Sequence, residues 1–306
     1  MEIWSDFAVT LHKRGKIVRN RRKNRLFICL SVLAALGLLT IAAFYRGIVI
    51  TSYETDTTKV GAKESIHLVL LTDLHSYIYE PDQKPLIEKV KNLQPDVIFL
   101  SGDMADDRNP YKGLDMLLTG IAELAPCFYV SGSHDYWSGE IDKIKSSVTA
   151  RGVTVLEGNT AEISIRGQKL FISGIDDPSM AVKTAGEGED EAYRRALQPF
   201  TTIDKSQYNI LVAHRPDFYN EYSQLGFDLV VSGHTHGGQV RIPFILNGLY
   251  APNQGYYPKY AGGLYDIGAM KLLVSRGLSF YPELPRIFNP PEIVLLELNG
   301  AQEDKT

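Results

Sequence analysis

The 306-residue sequence predicts an α/β sandwich, part parallel and part antiparallel, preceded by one transmembrane helix. The sandwich is predicted because many short apolar runs of strand length are interspersed with amphipathic helices, and some strands follow one another with only a turn between them. The helix is predicted because a long uncharged apolar segment lies near the N-terminus. No internal repeat and no long Gly/Ser- or Pro-rich linker follows that segment, so one folded domain is expected after it.

The apolar segment runs from Leu26 to Tyr45 without a charged residue. At about 1.5 Å per residue, roughly twenty helical residues span the hydrocarbon core of a bilayer. A buried core helix and a cleaved secretory signal are the alternatives. The segment lacks a polar face, exceeds the usual length of a signal core and ends without a convincing small-x-small cleavage site. We therefore predict an uncleaved membrane anchor.

Residues 1–25, directly before this segment, carry eight basic and two acidic side chains. Basic residues stay on the cytoplasmic side of a membrane span, which predicts a cytoplasmic N-terminus and an extracytoplasmic domain. The expected organisation is a basic cytoplasmic tail over 1–25, an anchor over 26–46 and the folded domain over 47–306. Such a protein would be a single-pass protein of the cell membrane.

Charge and cysteine usage exclude several other classes of protein. The net charge is −4, and the basic cluster lies beside the anchor, where anionic lipid headgroups are its natural partner. No nucleic-acid partner is therefore expected. The two cysteines, Cys29 and Cys127, are too few for a disulfide framework or a thiolate metal site.

Apolar runs, helical spacing and turn residues predict the elements of the domain in order. The expected strands are Ile66–Leu71, Asp96–Leu100, Cys127–Val130, Val153–Leu156, Ala161–Ile165, Lys169–Ile172, Tyr208–Val212, Asp228–Val231, Val240–Ile242, Lys271–Val274 and Ile293–Leu298. The expected helices are Pro85–Leu93, Tyr111–Leu124, Ser138–Arg151, Asp190–Leu197 and Pro216–Tyr222. The stretch Ala181–Glu189 is expected to be an exposed loop, because it is acidic towards its end and contains two glycines.

Two histidines one residue apart, His234 and His236, follow a predicted strand in a turn flanked by glycines. Imidazole is the commonest protein ligand for a metal, but a lone pair of this kind is weak evidence. Four earlier strands also end in, or within a few residues of, aspartate or histidine. These residues are Asp73 and His75, Asp103, His134 and Asp135, and His214. Because sites in α/β sheets form at the carboxyl ends of strands, the five groups are expected to converge if their strands are neighbours.

The mixture of residue types indicates the class of metal. Aspartate and histidine without cysteine suit Mn, Fe or Zn ions. The candidates are too many for one catalytic ion that must keep an open position, and they suit two ions about 3.5–4 Å apart that share a bridging carboxylate. Such a pair lowers the pKa of water and holds phosphoryl oxygens, which predicts hydrolysis of phosphate esters.

The ordered motifs resemble those of the calcineurin-like metallophosphoesterase family over residues 66–240. The motifs are Asp73-x-His75, Gly102-Asp103-x-x-Asp106, Gly132-Ser133-His134-Asp135, His214 and Gly233-His234-Thr235-His236. Further segments resemble the small membrane-associated bacterial branch of that family, some relatives of which cleave the pyrophosphate of a UDP-linked acylated sugar. These segments are Gly237–Pro243, Tyr250–Gly255, Pro258–Tyr260, Ser275–Gly277 and Pro291–Val294. The resemblance implies a four-layer α/β/β/α sandwich of mixed sheets.

The resemblance also implies a set of ligands for two divalent or trivalent metal ions. The first ion would be held by Asp73, His75 and His236. Asp103 would bridge the two ions, and His214 and His234 would hold the second. The remaining ligand position of the second ion is usually an asparagine, but this chain has Ser133 there. A neutral hydroxyl is shorter and a poorer ligand, so we expect a looser second site.

For catalysis, the resemblance implies that His134 donates a proton to the leaving oxygen or stabilises its charge. A nearby acid, Asp73 or Asp106, would orient His134. Asp106 and Asp135 are expected to orient other groups rather than to bind metal.

The predicted function is that of a membrane-anchored two-metal phosphoesterase. It would use metal-activated water to hydrolyse phosphate mono- or diester or pyrophosphate bonds in a phosphate-ester substrate, with a lipid- or nucleotide-linked substrate as one option. The alternative is a metal-stabilised, non-catalytic binding module at the membrane, with Ser133 as the first lost ligand. Two arginines close to the motifs in sequence, Arg215 and Arg241, are equally consistent with a phosphate contact and with a structural ion pair.

Overall fold

Two six-stranded mixed sheets pack face to face in the folded part of the chain, as seen in a computed structural model. The structure describes residues 2–61, 65–108, 111–179, 182, 186, 188–280 and 285–301, with side chains from residue 23 onward. The chain divides into two units, Met1–Tyr45 and Arg46–Thr306. Most of the expected loop Ala181–Glu189 lies outside the described residues.

The first unit contains one continuous helix, Glu2–Ala43, so the basic stretch expected as a tail is helical. Its section Lys23–Ala43 has 21 residues and a mean hydropathy of 2.6. Large apolar side chains along it, such as Phe27, Leu33 and Ile41, are exposed, which does not fit a buried core helix. Its length and composition suit a membrane span and also fit a signal sequence.

The first sheet has the strand order β1-β14-β2-β3-β4-β5. Strands β2 to β5 run parallel to one another, β14 is antiparallel to β2, and β1 is parallel to β14. The strands are Val49–Thr57 (β1), Ile66–Leu71 (β2), Val97–Ser101 (β3), Cys127–Val130 (β4), Thr154–Val155 (β5) and Glu292–Gly300 (β14). The helices of this half are Lys84–Asn92, Lys112–Ile121, Ser133–Trp137 and Ile141–Ala150.

The second sheet has the strand order β12-β13-β9-β8-β7-β6. Its four central strands are parallel, and each edge strand is antiparallel to its neighbour. The strands are Asn159–Ile165 (β6), Gln168–Ile175 (β7), Tyr208–Ala213 (β8), Leu229–Ser232 (β9), Gly263–Ile267 (β12) and Met270–Val274 (β13). Helices Glu189–Leu197 and Tyr219–Leu225 belong to this half, and a small hairpin, Tyr250–Ala251 (β10) with Gly255–Tyr256 (β11), stands apart.

Alternation along the strands creates four layers. In β2, Leu68 and Leu70 lie in the apolar cluster between the sheets, whereas Val69 and Leu71 belong to a cluster with residues of the first set of helices. In β8, Ile210 points between the sheets and its neighbour joins the cluster with the second set of helices. Successive side chains of a strand point to opposite faces of the sheet. Each sheet is therefore covered by helices on one face and by the other sheet on its second face, which explains why its central strands are largely apolar. The four-layer α/β/β/α prediction is confirmed.

Some predicted elements differ in the structure. The helix expected over Ser138–Arg151 begins later, at Ile141–Ala150, and a short helix that was not expected, Ser133–Trp137, precedes it, with Gly139 at φ 73° between them. A left-handed residue ends a helix, and glycine adopts that conformation without steric cost. The helix expected over Pro216–Tyr222 is shifted to Tyr219–Leu225. The strand expected over Val240–Ile242 is not a ladder, because it forms only isolated bridges to Ile287 and Leu246.

Ser101, at the end of β3, ties the two sheets together at the edge where the motifs lie. Its Oγ is 3.3 Å from the carbonyl oxygen of Ala213 and 3.2 Å from that of Val231. The end of one first-sheet strand is therefore held against the ends of β8 and β9. This contact brings the carboxyl ends of parallel strands from both sheets to one place.

Candidate metal centre

The loops after β2, β3, β4, β8 and β9 bring the predicted ligands together at this edge. Three groups have ligand atoms that all lie within 4.8 Å of one another. The first group is Asp73 with His75 and His236, and the second group is Asp103 with His214 and His234; a third, His75 with Asp106 and His134, shares His75 with the first. All but His134 are buried. The structure thus collects the six Asp and His residues expected to bind metal, together with the expected catalytic histidine.

Asp103 lies at the centre of the arrangement. Its Oδ2 is 3.1 Å from Nε2 of His214 and 3.8 Å from Nε2 of His75, so it faces both the first and the second group. Its Oδ1 accepts a hydrogen bond from the backbone N–H of His134 at 2.8 Å. A carboxylate placed between two groups of imidazoles is what a bridging ligand requires.

Hydrogen bonds to the outer ring nitrogens set the tautomers of the second group. Nδ1 of His214 donates to the carbonyl oxygen of Ser101 at 2.9 Å, and Nε2 of His234 donates to Oδ1 of Asn253 at 2.7 Å. The inner nitrogens, Nε2 of His214 and Nδ1 of His234, face each other at 3.2 Å. Two lone pairs and a carboxylate oxygen then point to one spot, which fits a cation there.

In the first group, Nδ1 of His75 donates to Oδ2 of Asp106 at 3.2 Å and directs Nε2 towards Asp103. His236 departs from this pattern, because its Nδ1 lies 3.4 Å from Nη2 of Arg286, a cationic donor. Nε2 of His236 is 3.8 Å from Oδ1 of Asp73. Burial, with His75 and Arg286 close by, holds the pKa of His236 well below its usual range, which favours the neutral imidazole that a metal ligand must be.

In the second group, Asp103 and His214 change each other's pKa. Burial alone lowers the pKa of His214, but the Asp103 carboxylate reverses the effect and raises it to about 10. Burial would raise the pKa of Asp103, yet the charge and hydrogen bond of His214 hold it well below its usual range. Burial and His214 lower the pKa of His234. The negative charge of Asp103 thus favours a positive charge beside it, which a bound metal ion would supply.

The backbone of the site is strained. Five of the expected ligands have φ between 47° and 69°: Asp73, His75, Asp103, His234 and His236. This left-handed conformation is uncommon for residues with a Cβ, although Asn, Asp and His tolerate it best. Such residues cluster at functional sites, where the surrounding structure holds them in place.

Glycines allow the loops to approach one another. A Cβ on Gly233 would lie 1.8 Å from Oγ1 of Thr72, and one on Gly132 would lie 2.3 Å from Oδ1 of Asp103. Only the absence of a side chain permits these contacts. The glycines that flank the histidines in sequence are thus needed for the close approach of the ligand loops.

Asp135 and Asp106 contact the backbone and a histidine, as expected of orienting residues. Asp135 accepts hydrogen bonds from Ala105 N at 2.6 Å and Gly132 N at 2.8 Å, and so joins the loops after β3 and β4. Burial and Asp103 raise the pKa of Asp135 to about 7. Asp106 contacts His75 and accepts a hydrogen bond from Arg108 N at 2.7 Å. That these two residues orient other groups rather than bind metal stays a prediction.

His134 has an acidic partner that the sequence did not single out. Its Nδ1 is 2.7 Å from Oδ1 of Asp107, whereas Asp73 or Asp106 was expected in that place. The ring also packs edge-on against His75 and Trp137, with centroid distances of 4.7 Å and 4.8 Å. Asp107 is the next residue after Asp106, and no motif in the sequence marked it.

Ser133 is buried at the start of the helix Ser133–Trp137. Its neighbours on both sides touch Asp103: His134 through its N–H, and Gly132 through the close approach described above. The backbone therefore places position 133 beside the carboxylate expected to bridge. The expectation of a looser second site stays a prediction.

Three further polar residues support the centre and were not anticipated. Asn253 contacts His234, Arg286 contacts His236, and Asn289 donates from Nδ2 to the carbonyl oxygen of His236 at 2.7 Å. Tyr250–Gly255, which contains Asn253, was noted for its resemblance alone. The sequence therefore marked this segment as a motif, but it did not indicate that Asn253 contacts His234.

The two arginines whose role the sequence left open, Arg215 and Arg241, have different kinds of partner in the structure. Arg215 forms ion pairs with Glu189 and, at 2.7 Å, with Asp217, which is the structural interpretation. Arg241 donates from Nη2 to Oδ1 of Asn247 at 2.6 Å and has no carboxylate partner among the described residues.

The centre as a whole, with its candidate ligands, buried carboxylates and partly exposed His134, can hold cations and transfer a proton to a bound anion.

Comparisons with known proteins agree with this geometry. The model of the calcineurin-like phosphoesterase family matches residues 66–238. A metallophosphoesterase of Campylobacter jejuni, Cj0846, is 32% identical over 251 residues, which are 78% of this chain and 61% of that protein. The chain thus spans less than two thirds of that relative's length.

A second relative, the phosphodiesterase YaeI of Escherichia coli, is 28% identical over 239 residues, with 76% of this chain and 81% of that protein covered. Among solved structures, a dimetal phosphatase from Danio rerio has a TM-score of 0.41 and 10% identity over 70% of this chain and 88% of that one, a likeness too distant to indicate a shared function. The family match covers more than half of the chain and every clustered residue from Asp73 to His236. This protein belongs to the calcineurin-like phosphoesterase family.

Proposed function

We propose that this protein is a membrane-anchored phosphoesterase with two metal ions, which hydrolyses phosphate diester or pyrophosphate bonds of a lipid- or nucleotide-linked substrate. The observation that carries the proposal is the position of Asp103 between two groups of ligands. Its carboxylate faces His75 on one side and His214 on the other. In a member of this family, one buried carboxylate between two groups of candidate ligands supports a two-metal hydrolysis.

The donor set fits the proposed ions, with Mn, Fe or Zn as the class. Asp73, His75 and His236 would hold the first ion, His214 and His234 with Ser133 would hold the second, and Asp103 would serve both. When bound, the pair would lower the pKa of water and neutralise charge on the phosphoryl group. Outer-shell contacts from Asp106, Ser101 and Asn253 hold the imidazoles in place.

His134 is the residue proposed to act on the leaving group. Asp107 accepts a hydrogen bond from Nδ1, which orients the ring. Nε2 is then the atom that donates a proton to the departing alcohol or phosphate oxygen. The backbone N–H of His134 also binds Asp103, so the proton donor and the proposed bridging carboxylate are positioned by the same loop.

One observation favours a diester or pyrophosphate over a monoester, and a second favours a lipid-linked substrate. The Escherichia coli relative is named a phosphodiesterase. The apolar helix Lys23–Ala43 would keep the site near lipid-linked substrates if it is an anchor. We propose the organisation derived from the sequence: a cytoplasmic tail over 1–25, an anchor over 26–46 and an extracytoplasmic phosphoesterase domain over 47–306.

Full-length protein purified in detergent tests the proposal. Turnover of bis-p-nitrophenyl phosphate, p-nitrophenyl phosphate and nucleotide- and lipid-linked pyrophosphates is measured with Mn²⁺, Fe²⁺ and Zn²⁺ separately, and bound metal is determined by mass spectrometry. We expect two ions per chain, hydrolysis of at least one substrate, and loss of both one ion and turnover in His214→Ala.

The matched control is His67→Ala, because His67 lies at the start of β2 and contacts the carbonyl oxygen of Leu93 rather than the centre. It is expected to retain both ions. Two bound ions without turnover of any substrate would favour the non-catalytic binding module instead. One ion or none in the wild-type protein would contradict the two-metal centre.

A further inference from the structure

Four consecutive residues after Arg241 are exposed, and three of them are large apolar side chains. Phe244 is fully exposed and Ile245 is 82% exposed, with Ile242 and Pro243 before them. Single exposed apolar residues are ordinary, but a run of this kind on one loop is a contiguous apolar surface. We call Ile242–Leu246 the apolar loop.

The apolar loop lines a cleft of about 450 Å³ together with Arg241 and Arg276. The charge of Arg276 is met by Glu292, whose Oε2 lies 2.7 Å from Nε. Arg241 has no such partner: it binds only the neutral oxygens of Asn247 and Gly262, and its Nη1 has no hydrogen-bond acceptor among the described residues. Burial and the neighbouring Arg276 lower the pKa of Arg241.

A partly buried guanidinium without a carboxylate is costly unless an anion binds it. An arginine binds phosphate oxygens well through its planar fork of donors. Here that anion would lie beside an exposed apolar loop, so the ligand should be anionic at one end and apolar next to it. A membrane phospholipid has this chemistry, and the same chain carries the apolar helix Lys23–Ala43.

We propose that the apolar loop and Arg241 form a docking surface for an anionic membrane: Phe244 and Ile245 insert among the acyl chains, and Arg241 binds a lipid phosphate in the cleft. Apolar insertion combined with electrostatic attraction is how surfaces without a spanning helix bind bilayers. This contact is separate from the helical anchor. It would hold the domain against the membrane in one orientation.

Because the helix would bring the full chain to lipid regardless of the loop, the readout must be local to the loop. A polarity-sensitive fluorophore is attached at Phe244→Cys in full-length protein in lipid nanodiscs, in a Cys29→Ser background; Cys127 is buried and stays unlabelled. The matched control carries the dye at Gln224→Cys, an exposed position on the helix Tyr219–Leu225. The discs contain phosphatidylcholine with or without phosphatidylglycerol.

With phosphatidylglycerol present, we expect a blue-shifted emission at position 244 and quenching by nitroxide groups on the lipid acyl chains, with neither effect at position 224. Arg241→Gln, or removal of phosphatidylglycerol, should reduce the quenching severalfold. Both loop variants should retain bound metal, since neither residue belongs to the metal centre. The readout does not depend on turnover, so its failure is distinct from failure of the proposed hydrolysis.

Several outcomes would overturn the docking surface. One is a dye at position 244 that stays in water in both kinds of disc. Another is quenching that is equal with and without phosphatidylglycerol or Arg241. An emission shift caused by inorganic phosphate without nitroxide quenching would instead identify a free-anion site. A shift that grows with protein concentration in discs without phosphatidylglycerol would identify a contact between copies of the chain.

Discussion

Oδ1 of Asn253 accepts a hydrogen bond from Nε2 of His234 at 2.7 Å, and this bond determines which nitrogen of His234 faces the second group of ligands. With its proton on Nε2, the imidazole presents the lone pair of Nδ1 to Nε2 of His214, 3.2 Å away. Asn253 has φ 60° and follows the short strand Tyr250–Ala251, so a strained loop supplies the contact. Partners of this kind orient metal-binding histidines and raise their basicity.

Replacing Asn253 with Ala should weaken the second metal site and leave the first nearly unchanged. Loss of an outer-shell partner lowers metal affinity by about 10- to 100-fold, because the histidine then samples the wrong tautomer and orientation. Calorimetric titration of the metal-free protein measures the two affinities separately. Asn220→Ala, at an exposed position on the helix Tyr219–Leu225, is the control. Unchanged affinity of the second ion in Asn253→Ala would contradict this role.

Replacing Ser133 with Asn should tighten the second site. The amide oxygen is a better neutral ligand than the serine hydroxyl, and position 133 lies between Gly132 and His134, which both touch Asp103. We expect the Kd of the second ion to fall about tenfold, which corresponds to about 1.4 kcal/mol. Ser133→Ala is the matched variant and should bind no more tightly than wild type. Equal affinity in the wild-type and Ser133→Asn proteins would exclude a role for this position.

Replacing His134 with Ala should lower kcat for a phosphate diester by about 10²- to 10⁴-fold, which is the range of a general acid. Both metal ions should stay bound, because the contact to Asp103 comes from the backbone of His134 and not from its side chain. Asp107→Asn should fall between wild type and His134→Ala, since the amide oxygen can still accept from Nδ1 but is a weaker acceptor than the carboxylate. Full activity of His134→Ala would exclude it as the proton donor.

The apolar helix should remain in the mature protein. We expect the expressed chain to keep its full-length mass and to resist extraction from membranes by alkaline carbonate, because Lys23–Ala43 is long and apolar enough to span the bilayer. Mass spectrometry of the purified protein and fractionation of the cells are the measurements. A chain shortened to begin near residue 46 and recovered in the soluble fraction would identify a cleaved signal instead.

Much of the fold could be predicted because buried strands and strand ends are local features. The strand Ile66–Leu71 agrees at both ends with the structure, and Cys127–Val130 does as well. Both are largely apolar runs followed by polar residues, which is typical of parallel strands covered on both faces. The candidate Asp and His residues could be recognised for the same reason, since each group follows such an apolar run within a few residues.

Elements with a weak apolar pattern were missed. The strand Val49–Thr57 is largely polar, with Thr, Ser, Glu and Asp at most positions, and it lies at the edge of the first sheet beside Glu292–Gly300. Its pairing partner is more than 240 residues away in the chain, so no local signal marks it. The hairpin around Asn253 has strands of only two residues each, too short to leave a pattern in the sequence, and it contributes one side-chain contact to the site.

The sequence alone was enough to predict the two-sheet sandwich, the family, the apolar helix and the set of Asp and His residues that converge, because burial and strand ends are encoded residue by residue. Tertiary structure alone decided that Asp107 rather than Asp73 or Asp106 contacts Nδ1 of His134, and that Asn253 selects the tautomer of His234. It also decided that Arg215 has acidic partners while Arg241 has none among the described residues. These outcomes depend on which loops meet at the edge of the sheets. Local sequence patterns do not predict contacts between loops that are far apart in the chain.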